Sequence, residues 1–204
     1  MMSRPAQPLP PPPALVLASA SPRRLDLLGR LGVPFTVEAS GVDEQPPPGL
    51  RPADAIRAIA RAKARAVAAR RPPGSAMVLG ADTEVVLDGQ LLGKPADAAA
   101  ATAMLGRLRG RTHEVITAVV LVEAGPGREA GEVVVSRVTM AAYDDAAVAA
   151  YVATGEPFDK AGSYAVQGLG AQLVAGVDGC LTNVIGLPVE ATRRLLVAWG
   201  VLSA

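Results

Sequence analysis

The chain is poor in residue types on which whole classes of protein depend. Its 204 residues include one cysteine, Cys180, and one histidine, His113. A single cysteine excludes an intramolecular disulfide and suits a reducing compartment, and so few sulfur and imidazole ligands exclude a Cys/His zinc cluster. A metal in this protein would be a hard cation of the Mg²⁺ type, held by carboxylate and phosphate oxygens.

The charge balance and the aromatic content disfavour large anionic partners. The 20 Lys and Arg residues nearly equal the 19 Asp and Glu residues, and Phe, Trp and Tyr make up 3% of the chain. A near-neutral chain lacks the general basic surface that attracts nucleic acids and anionic membranes, and few aromatic side chains are available to stack on bases. We expect neither partner, so any anion site must be local.

Long apolar runs are also lacking. No run approaches the roughly 18 to 20 residues that span a bilayer. Residues 1–13 are rich in proline and have no apolar core of their own, which favours a disordered polyproline II tail over a secretory signal. We therefore expect a cytoplasmic protein with a tail at 1–13 and one domain at 14–204, long enough to bury a substantial core.

A hydroxyl-rich and arginine-rich segment follows the first apolar run. Residues 14–17 predict the end of a buried strand, and Ser21 with Pro22 predicts the start of a helix. A helix N-terminus attracts anions, Ser19 can donate to them, and the pair at 23–24 can hold phosphate oxygens bidentately. An ordinary capped helix with the solvated pair Arg23 and Arg24 fits the same spacing.

A lysine interrupts the apolar face of the next predicted helix. The segment 51–71 has an apolar stripe that includes Ile56, Ile59 and Val67, and Lys63 falls inside that stripe. Such departures from the apolar pattern cluster at functional sites, although a lysine can also extend its amine to the surface. We favour a buried contact between Lys63 and an anion.

Acidic residues follow two predicted strands. Glu44 comes after a strand predicted at 33–39, and Asp82 and Thr83 come after a short apolar strand predicted at 77–81. Functional side chains of α/β proteins commonly lie just past strand ends, but an acidic loop residue is more often simply solvated. The position alone therefore does not assign a role to these residues.

The rest of the chain predicts one mixed sheet with helices packed on it. Asp88-Gly89 is typical of the tight turn of a hairpin, predicted at 85–92, and Lys94 lies in the loop after it. We expect a single α/β domain with a mixed, twisted sheet flanked by helices. The later predicted elements are a helix capped by Asp97, strands at 112–123 and 132–143, a helix capped by Asp144, a glycine-rich loop at 159–168, a strand at 171–177 and a helix at 187–199.

Eight short motifs extend in order from about Leu15 to the last predicted helix. They lie at 19–24, 41–44, 62–64, 81–83, 93–95, 110–115, 159–168 and 186–188. Together they resemble the Maf family of nucleoside triphosphate pyrophosphatases. The resemblance implies a Maf fold like that of ITPase, and hydrolysis of a nucleoside triphosphate between its α and β phosphates with a divalent cation, Mg²⁺ or Mn²⁺.

The resemblance also implies roles for individual residues. It makes Asp82 the general base and gives Glu44 a part in positioning the metal or the water, so both are candidate metal ligands. A solvated aspartate with a pKa near 4 is a poor base at neutral pH, so Asp82 is either tuned by its surroundings or acts by orienting water. The residues that it places at the phosphates are Ser19, Arg24, Lys63 and Lys94.

Three residues imply the branch of the family. Arg23, Thr83 and Gln167 match the branch that acts on dTTP and UTP, and the amide of Gln167 offers both the donor and the acceptor that the imide edge of these bases requires. A sister branch prefers 7-methyl-GTP. Another alternative is a nucleotide-sensing regulator of cell division without catalysis, although a pure binding module would not need acids beside a phosphate cradle.

Three further expectations concern the oligomeric state and two residues to which no catalytic role is assigned. The resemblance implies a homodimer. We expect His113, at the start of a predicted strand, to be structural. Cys180 is expected to be a small filler beside a turn, because no activating base is evident near it in the sequence.

Overall fold

Seven strands form one sheet in the computed structural model, which describes residues 14–125 and 127–203. The predicted tail at 1–13 lies outside these ranges. The strands are Ala14–Leu17 (β1), Phe35–Val37 (β2), Ala76–Leu87 (β3), Gln90–Leu91 (β4), Thr112–Glu123 (β5), Glu129–Met140 (β6) and Val174–Asp178 (β7). The helices are Pro22–Gly29 (α1), Pro52–Ala68 (α2), Ala98–Leu108 (α3), Asp145–Ala153 (α4), Leu181–Ile185 (α5) and Val189–Ala198 (α6).

The sheet is mixed, as predicted. Its order is β2-β1-β3-β5-β6-β7, with β4 paired to the end of β3. Strand β1 runs parallel to β2 and β3, whereas all other pairs are antiparallel. Helices that return the chain between β1, β2 and β3 cover the parallel part, as such connections require.

Helices pack on both faces of the sheet. Helix α2 lies on one face, where Ile56, Ala60 and Val67 pack against β3 and β5. A Cβ atom on Gly80 of β3 would overlap the backbone oxygen of Ala60, so only glycine allows this close approach. On the other face α1 and α6 cover the central strands, and α3 and α4 cover the end of the sheet near β4. None of the helices within the described ranges has the length and apolar character to cross a bilayer.

The predicted break after residue 81 is wrong. Strand β3 continues through Asp82 and Thr83 to Leu87, because its pairing with β5 runs without interruption from Met77 to Val86. The hairpin that follows is shorter than predicted, since β4 spans two residues. In the sequence, a carboxylate after an apolar run looks like the end of a strand. In the structure, the backbone at Asp82 remains paired with β5.

Later elements differ from prediction in their bounds. The predicted strand at 171–177 begins only at Val174, because 3₁₀ turns occupy the preceding residues to Leu173. A short 3₁₀ turn at Glu156–Asp159 leads into the predicted glycine-rich loop at 159–168, and another lies within that loop at Ala161–Ser163. Helix α5 was not predicted; its five residues are too few for a helical period to be recognised.

One edge of β3 is open in the middle of the sheet. Strand β1 pairs with β3 as far as Leu79, and β4 begins to pair at Val86. Within the described ranges no strand lies beside 80–85 on that side. Both faces of this stretch are therefore reachable from one opening, and the candidate site is built there.

Candidate active site

A cavity of about 520 Å³ opens at the free edge of β3. It lies between the start of α1, the middle of β3, the loop after β4 and the 3₁₀ turns near residue 160. The structure brings together in its lining all nine candidate residues from the sequence, which are Ser19, Arg23, Arg24, Glu44, Lys63, Asp82, Thr83, Lys94 and Gln167.

Two lysines and two carboxylates form a continuous ionic array in this cavity. Lys63 Nζ lies 2.7 Å from Asp82 Oδ1 and 2.7 Å from Glu44 Oε1. Lys94 Nζ donates to Glu44 Oε2 over 3.1 Å. The Lys63 side chain is 5% exposed and that of Asp82 6%, so Lys63 is buried, and the anions that it contacts are carboxylates of the protein itself.

Glu44 lies between the ammonium groups of two lysines. Partial burial alone would raise its pKa, but the hydrogen bonds and charges of Lys63 and Lys94 outweigh this effect and lower the pKa from 4.5 to about 2. Glu44 is therefore ionised at any physiological pH, and both of its oxygens are held by ammonium groups.

A third acid, Glu84, was missed by the sequence reasoning. It follows Asp82 by two residues on β3, so both side chains lie on the face toward α2. Burial, and then the charge of Asp82, raise the pKa of Glu84 from 4.5 to about 7. Asp82 Oδ2 and Glu84 Oε2 are buried without a hydrogen-bond partner. The i, i+2 spacing was a signal that could have found it.

The start of α1 provides hydroxyl groups and guanidinium groups on the opposite wall. Ser21 has the extended backbone of an N-cap, as predicted, but its side chain makes no capping bond. Its backbone N–H instead donates to Ser19 Oγ over 3.2 Å. Arg23 Nη1 lies 3.1 Å from Asp159 Oδ2 across the cavity, so this arginine links α1 to the 3₁₀ turns.

Arg24 is held by β3 and by the residue that follows α5. Its Nε donates to the backbone oxygen of Gly186 over 2.9 Å and its Nη2 donates to Thr83 Oγ1 over 3.2 Å. Thr83 Oγ1 lies 2.9 Å from Thr117 Oγ1 on β5. Burial lowers the pKa of Arg24 from its usual value. These contacts fix the guanidinium where α1 meets the open strand edge.

Comparison with known proteins assigns the chain to a family. A family model described as "Maf-like protein" matches residues 14–199. The chain belongs to the Maf family. It is 52% identical over 187 residues to the dTTP/UTP pyrophosphatase of Moorella thermoacetica, covering 92% of this chain and 95% of that protein. It is 51% identical over 183 residues to the dTTP/UTP pyrophosphatase of Myxococcus xanthus, covering 89% and 90%.

The predicted resemblance is thus confirmed, including the branch. A third relative of this Maf protein, from Symbiobacterium thermophilum, is also named dTTP/UTP pyrophosphatase and is 48% identical over 186 residues, covering 91% of this chain and 94% of that protein. The high coverage on both sides shows that the relationship extends over the whole domain and not over a single motif.

Two buried side chains support the far wall of the cavity. His113 Nε2 lies 2.6 Å from the hydroxyl oxygen of Tyr164, and the two rings meet edge to face. Burial lowers the pKa of His113 from 6.5 to about 4, so the imidazole is neutral at pH 7. This contact fits the structural role expected of His113, and it fixes Tyr164, a lining residue that the sequence reasoning missed.

Cys180 lies outside the cavity lining. It is the N-cap residue of α5, and its Sγ is 3.2 Å from Thr182 Oγ1. Its position beside the turn that follows β7 agrees with the filler role expected for it.

The carboxylates of this Maf protein fit a hard cation that is shared with a substrate. Among the described residues no group of three or more His, Cys, Asp or Glu side chains is placed to hold a metal ion alone. Mg²⁺, however, is commonly held by one or two carboxylates together with substrate phosphates and water. The unpaired Oδ2 of Asp82 is available for such a bond, whereas Glu44 has both oxygens on lysines.

Proposed function

We propose that this Maf protein hydrolyses dTTP and UTP between the α and β phosphates, releasing the monophosphate and pyrophosphate. The observation that carries the proposal is the buried Asp82–Lys63 pair at the open edge of β3, with Glu44 and Lys94 beside it. The names of relatives about half identical to this chain support the same reaction and the same nucleotides.

In this proposal Asp82 acts on the attacking water. Its Oδ1 accepts a hydrogen bond from Lys63, and its Oδ2 has no hydrogen-bond partner among the described residues. That oxygen can accept a hydrogen bond from water and orient it for attack on the α-phosphorus, or take its proton. The structure supports a positioned carboxylate, and both roles require the same atom.

The cationic side chains act on the phosphates. Lys94 and Arg23 are partly exposed and line the same cavity, where Ser19 and Arg24 complete the cradle. Their charges are preorganised for the charge that develops on the departing pyrophosphate, which is an electrostatic and positioning task. Bound Mg²⁺ or Mn²⁺ would add Lewis-acid charge there, with Asp82 as its ligand and Glu44 as the second ligand that we predict.

Gln167 is the residue that would select the base. It is exposed in the lining of the cavity and lies just before the 3₁₀ turn Gly168–Leu173, so its amide is available to the imide edge of thymine or uracil. Thr83 is tied to Arg24 and Thr117, which makes it a support of the cradle as well. The alternatives remain a 7-methyl-GTP pyrophosphatase and a nucleotide sensor without catalysis.

The test is pyrophosphate release from a panel of triphosphates with Mg²⁺ or Mn²⁺. We expect cleavage of dTTP and UTP, and a loss of at least about 100-fold in kcat for Asp82→Asn. Glu190→Gln, at an exposed position in the first turn of α6, is the matched control and keeps the rate. Cleavage of 7-methyl-GTP alone would overturn the choice of base, and nucleotide binding without cleavage would favour the sensor.

We also propose that the catalytic domain spans 14–204, that the tail 1–13 is dispensable for catalysis, and that the protein is a cytoplasmic homodimer. The exposed side chains of Val133 and Val135 lie on β6, which pairs with β7 only from Arg137 onward. An apolar strand surface of this kind supports pairing with a second copy. Light scattering coupled to size exclusion tests the dimer, and a monomeric mass contradicts it.

A further inference from the structure

Glu84 lies beyond the Maf motif at 81–83 and has no part in the roles assigned above. It lines the same cavity as Asp82 and lies on the same face of β3, one strand repeat away. The rise of a strand places the two Cα atoms roughly 7 Å apart, so the longer glutamate side chain can bring its carboxylate close to that of Asp82.

Two carboxylate oxygens at this place have no hydrogen-bond partner in the described part of the chain. Asp82 Oδ2 and Glu84 Oε2 are both buried and unpartnered, and the Asp82 side chain is 6% exposed. Lys63 is bound to Asp82 Oδ1 and to Glu44, and Lys94 is bound to Glu44. Buried polar atoms in proteins nearly always have a partner, and two adjacent carboxylates repel each other when both are ionised, a repulsion that a shared cation relieves.

We propose that Glu84 is a ligand, together with Asp82, for a divalent cation that the protein binds before the nucleotide arrives. Oxygen ligands from carboxylates select hard cations such as Mg²⁺ and Mn²⁺. The choice of these ions rests on the proposed function, whereas the binding itself needs only the two oxygens. Glu84 thus adds a carboxylate oxygen to that of Asp82 while both oxygens of Glu44, the further ligand of the proposed function, are held by lysines.

The experiment is a titration of the full chain with Mn²⁺ in the absence of nucleotide, in which free Mn²⁺ is read from its electron paramagnetic resonance signal. We expect Glu84→Gln, which keeps the side-chain shape, to weaken binding at least about tenfold. Glu132→Gln is the matched control, because it removes a strand glutamate that is paired with Arg194 on the surface. Its affinity should stay within twofold of the wild type.

Two results would overturn the proposal: equal Mn²⁺ affinity in Glu84→Gln and the wild type, or no Mn²⁺ binding by the wild type at millimolar concentrations. Glu84→Val, which suits a strand and removes both oxygens, repeats the test if the glutamine variant does not fold. Pyrophosphate release is measured separately. Inactive protein with a Glu84-dependent Mn²⁺ site would contradict only the proposed function, and active protein without that site only this inference.

Discussion

At the residue scale, one buried ammonium group holds the site together. Lys63 lies between Asp82, which is buried like the lysine itself, and Glu44, which is half exposed. A buried charge is tolerated only when it is paired, because transfer of an ion from water into the protein interior is costly. The lysine that interrupts an apolar helix face is therefore the counterion of the two carboxylates.

Removal of the Lys63 ammonium should destabilise the protein strongly. Lys63→Met leaves Asp82 buried without its counterion, and we expect a loss of about 3–5 kcal/mol in the free energy of unfolding, measured by urea denaturation. Asp82→Asn should lower the free energy of unfolding by less, because Lys63 keeps its ion pair with Glu44. The double variant Lys63→Met/Asp82→Asn should regain part of the loss, and additive losses would contradict this account.

The buried histidine predicts a specific dependence of stability on pH. Unfolded His113 takes up a proton below about pH 6.5, whereas in the folded protein burial lowers its pKa to about 4. The unfolded state therefore binds more protons between these values, and stability is lost as the pH falls through this window. The shift corresponds to roughly 3 kcal/mol.

His113→Gln separates this effect from the titration of acids. It removes the imidazole, so the wild type should lose roughly 3 kcal/mol more than the variant between pH 7 and pH 4. Urea denaturation of both proteins across this range measures the difference. Parallel curves would show that His113 does not titrate differently in the two states.

At the element scale, the contact between α2 and β3 positions Lys63 against Asp82. Gly80 lies two residues before Asp82 on the same face, and it lets α2 approach the strand closely at Ala60 and Ala64. Lys63 lies between these two alanines in the sequence of α2. The ion pair between Lys63 and Asp82 therefore depends on the close approach of α2 to β3 at Gly80.

Gly80→Ala should damage both the fold and the catalytic site. A Cβ atom would overlap Ala60 and lie 2.8 Å from the backbone nitrogen of Ala64, so we expect destabilisation of about 1–3 kcal/mol together with a loss of pyrophosphate release. The control is Gly106→Ala in α3, where a Cβ meets nothing within 4 Å. That change should stabilise the protein by up to about 1 kcal/mol, as read from the melting temperature.

At the scale of the whole molecule, the cavity results from an interruption in the sheet. Strand β1 stops pairing with β3 before β4 begins to do so. The start of α1 and the loop bearing Lys94 therefore both line the cavity at this open edge of β3. The flanking pairs and the helix layers keep the strand in place. A central strand can therefore offer a free edge to a ligand while its pairing with β5 keeps the sheet intact.

The domain boundary proposed at residue 14 predicts the effect of truncation. Strand β1 begins at Ala14 and pairs with β2 and β3, and the family match begins at the same residue. A chain lacking residues 1–10 should keep its melting temperature within about 2 °C and its rate of pyrophosphate release, since no β1 pairing is removed. A large fall in either property would place the tail within the functional unit.

Local chemistry was readable from the sequence alone. Asp97 and Asp144 were predicted as caps, and each accepts a hydrogen bond from the backbone three residues on. Asp88 and Gly89 were predicted as a tight turn, and both have positive φ between paired strands. Such features depend on neighbours within a few residues, so the physical cause lies in the sequence itself.

The tertiary structure decided what depends on distant partners. The continuity of β3 through Asp82 follows from its pairing with β5, and the free strand edge follows from where β1 and β4 stop. The spacing of Glu84 from Asp82 is visible in the sequence, but its buried oxygen without a partner is not, because burial is a property of packed elements and not of a local pattern. The sequence alone determined which groups this Maf protein carries to its cavity, whereas pairing across the sheet decided which of them are left for a ligand.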